Sequence, residues 1–190
     1  GEEVAKSMLG YYGLSSVSVV SVPGKLTDHY NPLNKTVNLS PEVFQGRSVA
    51  SAAIAAHECG HAVQHSTSYF WLGMRSKMVP VVNASSRIMQ FVFMASLFGM
   101  YSLSMGGNTI LLVLIATQAV IASFAVITLP VEYDASRRAL VWLKGAGITN
   151  PQNHSMAEDA LKWAARTYLV AAVAAVTTLL YYVMLYLRRN

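Results

Sequence analysis

His57-Glu58-Cys59-Gly60-His61 sets two imidazoles four residues apart, with a carboxylate beside the first. On a helix, residues four apart lie one above the other on one face. Two imidazoles so placed can fill two corners of a zinc tetrahedron. The neighbouring carboxylate can reach a water on the same ion. Zinc lowers the pKa of such a water to about 7, so Glu58 is the expected general base at neutral pH. The chemistry would be hydrolysis by an activated water, with no covalent intermediate. The motif sits inside an Ala-rich apolar stretch, where two histidines and a glutamate are costly unless satisfied. A chance polar patch at a helix end is disfavoured on that ground.

A catalytic zinc needs a third protein ligand and one open position. His65 continues the row from His61, but a straight helix puts it two turns from His57. A role around the ligands or at the surface suits it better. Glu132 is the better third ligand, in the stretch Leu129-Pro130-Val131-Glu132-Tyr133-Asp134 that follows a long apolar run. The competing reading for Glu132 is an acid favoured by a helix start. Asp134 is open between hydrogen-bonding a ligating histidine and stabilising the same helix start.

The elements that must position these groups are mostly apolar. Hydrophobic residues make up 54% of the 190 residues and charged residues only 12%. Mean hydropathy is +0.39. Three runs, Ile88–Met105, Thr109–Leu129 and Tyr168–Leu187, each have the roughly 18 to 21 residues that cross a hydrocarbon core. The net charge of +5 would suggest nucleic acid in a soluble protein. Here the basic residues flank the apolar runs, as lipid-headgroup contacts do, so no nucleic-acid partner is expected. Arg75, Lys77, Arg87, Arg137, Arg138, Lys144, Lys162 and Arg166 all fall on the side shared by the segments before Ile88 and after Leu129. That side is therefore expected to be cytoplasmic. Arg188 and Arg189 run against this unless the last segment does not fully cross. The spans hold almost no ionisable groups, which counts against a transporter.

Glu2 to Tyr12 reads as a short amphipathic helix stopped by Gly13. Val17 to Val22 is β-rich. Leu26–Tyr30 and Thr36–Leu39 flank turn residues Asn31 to Lys35, which predicts a small antiparallel hairpin or sheet. Ser40-Pro41-Glu42 is a helix start. Arg47 to about His65 reads as the helix that carries the motif. Tyr69 to Arg87, with Pro80 inside, is expected to run along the membrane surface into the first span. Gly106-Gly107-Asn108 should link the first two spans, and Pro130 should end the second. Val131–Lys144 follows as a separate helix. His154 reads as solvated in a polar loop. Cys59 is the single cysteine, so no internal disulfide is possible, and it is expected to be a buried filler. The chain opens at Gly1 without an initiator Met, which leaves open a further membrane segment ahead of it.

The sequence resembles the bacterial YugP-type zinc-dependent membrane metallopeptidases. The likeness lies in Leu26-Thr27-Asp28-His29-Tyr30-Asn31-Pro32, Gly46-Arg47-Ser48, Ala55 through Gln64, and Leu129 to Leu140. It implies one zinc ion on His57, His61 and Glu132, with Glu58 as the catalytic acid. Many members carry Val at Cys59, and most begin with a further membrane helix. More distant HtpX-like and CAAX-prenyl endopeptidases carry an Asp four residues after their Glu ligand; here that position is Ser136. The HtpX likeness implies that a β-edge beside the zinc helix takes extended substrate. His29 or Tyr30 would then stabilise the oxyanion, with simple turn packing as the alternative.

The expected protein is a mainly α membrane protein with a gluzincin-like zinc helix, a small antiparallel β element and about three transmembrane helices. Its expected parts are 1–87 with the hairpin and motif helix, 88–129 as a transmembrane hairpin, 130–166 with the third ligand, and 167–190 as the last span. The expected setting is the inner (plasma) membrane, multi-pass, with the site facing the cytoplasm. The expected partners are a polypeptide substrate and the lipid bilayer, with the oligomeric state open. The competing function is a catalytically inactive metal-binding scaffold, against which Glu58 argues.

Overall fold

A computed structural model of the chain describes residues 1–97 and 107–189. It is mainly helical, with one small sheet. In chain order the elements are α1 (Glu2–Tyr11), β1 (Ser18–Ser21), β2 (His29–Asn31), β3 (Thr36–Leu39), α2 (Pro41–Phe44), α3 (Val49–Ser66), α4 (Phe70–Leu97), α5 (Gly107–Gly145) and α6 (His154–Arg189). Two compact units divide them. One combines Gly1–Gly73 with Pro130–Arg166; the other combines Met74–Leu129 with Thr167–Asn190.

In the first unit the sheet order is β1-β3-β2. The β2–β3 hairpin is antiparallel, with His29 opposite Asn38 and Tyr30 opposite Val37. Asn31 Oδ1 accepts from the amides of Leu33 and Asn34 and so builds the turn. The expected antiparallel hairpin is therefore present, but β1 pairs parallel to β3 and makes the sheet mixed. The cause is β3, whose Val37 and Leu39 are fully buried. As the central strand it takes a partner on each edge, and the Pro23–Asp28 connection lets β1 run alongside it. Asp28 ties the sheet to α2 by accepting from the Ser40 amide and hydroxyl. The Ser40 side chain therefore does not cap α2.

The core of this unit joins Ala5, Met8 and Leu9 of α1, Val37 and Leu39 of β3, the alanines of α3, Ala139, Trp142 and Leu143 of α5, and Ala157 and Leu161 of α6. α3 forms because alanine has the highest helix propensity and because Ser48 caps it, accepting from the Ser51 amide at 3.1 Å. The structure corrects the expectation at Pro130: it lies inside α5, which runs on to Gly145. A proline in a helix interior loses one hydrogen bond and costs about 3 kcal/mol. Val131, Ala135, Ala139 and Leu143, all fully buried on one stripe, offset that cost. His154 is also not free in a loop. It opens α6, with Nδ1 2.8 Å from the Thr149 hydroxyl.

In the second unit, α4 passes through Pro80 without a break, so the segment after Tyr69 runs directly into the first apolar run. Of the expected span Ile88–Met105, α4 carries the part to Leu97; residues 98–105 and Gly106 lie outside the described residues. Gly107 and Asn108, expected in a link, begin α5. Among the described residues two helices, α5 and α6, are long and apolar enough to cross a membrane. A polar contact joins their apolar stretches: the Gln118 amide donates to the Ala175 carbonyl at 2.9 Å.

A side-chain hydrogen bond of this kind contributes about 0.5–1.5 kcal/mol net. Gln118→Leu, which keeps the volume, is therefore expected to lower stability by an amount in that range. Denaturing-detergent titration in mixed micelles measures it. A variant as stable as the parent would mean that the contact contributes nothing.

Candidate metal centre

The site forms where α3 meets α5. A side-chain carbon added at Gly60 would lie 2.6 Å from the Ala135 carbonyl oxygen and 3.1 Å from its Cα. The two backbones touch at that point, and only glycine permits it. His57 and His61 flank Gly60 on α3; Glu132 and Ser136 flank Ala135 on α5. Each of these pairs is spaced i, i+4, so each lies on one helix face, and the two faces meet.

Glu132 Oε2 lies 3.2 Å from His57 Nε2 and 3.5 Å from His61 Nε2. The three ligand atoms lie within 4.8 Å of one another. With zinc–ligand bonds of about 2.0–2.1 Å, the edge of a tetrahedron is about 3.3 Å. The two measured separations bracket that edge. The imidazoles are each 12% exposed and the Glu132 side chain 3%. Glu132 Oε2 is buried and accepts no hydrogen bond of proper angle, although both rings stand at ion-pair distance. A buried, unsatisfied carboxylate oxygen facing two imidazole nitrogens is expensive. A divalent cation would satisfy all three. His57, His61 and Glu132 thus fit the zinc ion that the sequence implied.

The other nitrogens of the rings are held. His57 Nδ1 is 3.1 Å from Ser136 Oγ, and His61 Nδ1 is 3.0 Å from Gln64 Oε1. Such outer bonds orient ligating imidazoles. Asp134, left open from sequence, touches no histidine. It accepts from Gln64 Nε2 at 2.9 Å and pairs with Arg137 and Arg138 at 2.7 and 2.6 Å. Gln64 was not singled out from sequence, yet it is fully buried. Its signal was there: a polar residue seven positions after His57 on the same apolar helix face.

Glu58, 8% exposed, makes no hydrogen bond or ion pair with another described residue. Next in the chain to His57, its carboxylate is left unengaged. His65 is not in the ligand cluster; its Nδ1 is 2.9 Å from the Tyr30 hydroxyl. Tyr30 reaches α3 from β2, while His29 is exposed and its Nδ1 stands 2.7 Å from the Thr27 carbonyl. Burial raises the Tyr30 pKa, so its phenol stays a donor. Cys59 is fully buried on the opposite face of α3, with its thiol directed to the Ala5 carbonyl. Ser136 and Arg137 also line a groove of about 490 Å³ between α5 and the start of α6, together with Leu140, Lys144, Leu161 and Lys162.

Over residues 1–187 the chain matches the family described as "putative neutral zinc metallopeptidase". The chain belongs to this family. It is 38% identical over 187 residues to a protein of Bacillus subtilis (strain 168) named "Putative membrane protease YugP". That alignment covers 98% of this chain and 80% of the relative. No solved structure matches the chain.

Without metal, burial disfavours charge on both Glu132 and His61, but their mutual attraction wins. Glu132 falls well below the usual carboxylate range, held down by His57 and His61. His61 rises above 6.5, driven by Glu132 and Glu58. A raised His61 contributes stability below pH 6.5 that is lost as pH climbs through its folded value. A lowered Glu132 contributes stability above about pH 4.5 that is lost as pH falls through its folded value. The metal-free protein is therefore expected to be most stable between these two values and to weaken on the alkaline side. Zinc requires neutral rings, so the zinc-loaded protein should gain stability over the same rise. Thermal unfolding with chelator and with zinc, scanned across pH, should give slopes of opposite sign. Parallel slopes would contradict zinc binding at these histidines. A second expectation concerns the helix contact: Gly60→Ala should push α5 away and lose zinc, as metal analysis of the purified variant would register.

Proposed function

We propose that the chain is a membrane-embedded zinc metalloendopeptidase that hydrolyses unfolded or membrane-proximal polypeptides. His57, His61 and Glu132 hold one zinc ion. The convergence of these three side chains, with an unsatisfied buried carboxylate oxygen among them, carries the reading. When bound, zinc supplies Lewis-acid polarisation and a water acidified to about pKa 7.

Glu58 is the general base: it takes a proton from water and returns it to the leaving amine. The outer edge of β2 is unpaired in the sheet. An extended peptide laid along it gains backbone hydrogen bonds. Tyr30, oriented by His65, donates from its phenol to the oxygen that develops negative charge. The name of the Bacillus subtilis relative and the two long apolar helices support a membrane setting. In our reading the chain crosses three times, at Ile88–Met105, Thr109–Leu129 and Tyr168–Leu187. The basic flanks favour a cytoplasmic site. The parts 1–87, 88–129, 130–166 and 167–190 then serve as motif region, membrane hairpin, third-ligand segment and last span.

An inactive metal scaffold would have no use for Glu58, whose carboxylate makes no hydrogen bond or ion pair among the described residues. Glu58→Gln is expected to keep one zinc per chain and to lower cleavage of an unfolded protein by at least about 100-fold. Undiminished cleavage would remove Glu58 from the mechanism. Glu132→Ala is expected to lose the metal; stoichiometric zinc in that variant would exclude this ligand set.

A further inference from the structure

We infer that Gln64 is the positioning residue of the metal centre, fixing which nitrogen of His61 faces the ion and holding the α5 backbone beside Glu132. The inference rests on the ligand set proposed above and adds to it a group that touches neither metal nor substrate.

The argument is one of donors and acceptors. An amide side chain has one end that only donates and one that only accepts. The Gln64 nitrogen lies 2.8 Å from the Val131 carbonyl and 2.9 Å from Asp134 Oδ2. Both partners are acceptors, so the NH2 end belongs there and the amide cannot be reversed. Its oxygen must then face His61 Nδ1 at 3.0 Å. An amide oxygen cannot donate, so Nδ1 carries the hydrogen. In the neutral ring that leaves the lone pair on Nε2, the atom 3.5 Å from Glu132 Oε2. The state of His61 follows from Val131 and Asp134 through one buried amide.

His57 has no such constraint. Its partner Ser136 is a hydroxyl, which can donate or accept. The two ligating imidazoles are therefore unequal, and His61 is the one whose ligand atom is fixed in advance. Gln64 also acts at its other end. Val131 precedes Glu132, so the 2.8 Å bond pins the backbone next to the carboxylate ligand. Asp134 is itself held by Arg138 and Arg137, so the acceptor end of the chain does not drift. Gln64 is fully buried, and no water competes for its bonds.

The test uses the full chain in detergent micelles, with zinc affinity measured by chelator competition. The tautomer of 15N-labelled His61 is read from nitrogen shifts at a pH where the ring is neutral. Gln64→Met keeps the length and removes both hydrogen-bonding ends. It is expected to bind zinc about 10- to 100-fold more weakly and to lose the single Nδ1–H tautomer. The double variant Gln64→Glu with Asp134→Asn keeps the net charge, restores an acceptor for His61 and reverses the bond to residue 134. It should recover the Nδ1–H tautomer, while the bond to the Val131 carbonyl, which faces an acceptor in this variant, stays lost, so the affinity returns only in part. A bracket acting only between helices would not be rescued in this way.

A folded Gln64→Met variant with parental affinity and tautomer overturns the inference and leaves the metal centre standing. A parent that takes up no zinc overturns both. If Gln64→Met does not fold, the double variant decides: a recovered Nδ1–H tautomer supports the inference, and its loss ends it.

Discussion

The backbones of α3 and α5 touch at Gly60 and Ala135, and the rest of the centre depends on that contact. An imidazole and a carboxylate side chain are short. From ordinary helix separations of about 8–10 Å, their reach would depend on rotamer and tilt. With no side chain at Gly60, the two i, i+4 pairs close on each other at ion-pair distance. A glycine in a helix interior costs about 1 kcal/mol relative to alanine. The alanine-rich remainder of α3 absorbs it.

Two acids on α5 are separated by a single residue, yet they serve different partners. Residues two apart on a helix do not share a face. Glu132 turns to the imidazoles, and Asp134 turns to Gln64, Arg137 and Arg138. Arg138, 25% exposed, is better shielded from solvent than Arg137 at 74%. An exposed pair contributes little, so Arg138 is the more effective anchor. It also lies over the Tyr69 ring.

Much of the site was readable because its chemistry is local. The His57–His61 spacing, the carboxylate beside it and the apolar setting are all properties of one short segment. Glu132 was found because it is an acid at the end of a long apolar run. The helix over α3 and the turn at Asn31 followed from propensity and turn chemistry. What could not be read was set by tertiary context. Pro130 obeyed no local stop rule, because the buried stripe from Val131 to Leu143 outweighs one lost hydrogen bond. The direction of β1 was fixed by which edge of β3 lay free. Neither role considered for Asp134 was the observed one, because its partner Gln64 lies 70 positions away. Ser136, one turn after Glu132, reaches His57 as well.

The placement of Cys59 has a consequence for inhibitors. Its sulfur lies inside the seam between α3 and α1, and burial pushes its pKa well above the usual thiol range. It offers no thiolate to alkylating or oxidising reagents and points away from the ion's neighbours. A metal centre built this way is indifferent to thiol chemistry at its one cysteine. Sulfhydryl blockers should spare it, although the sulfur adjoins Glu58 in the chain.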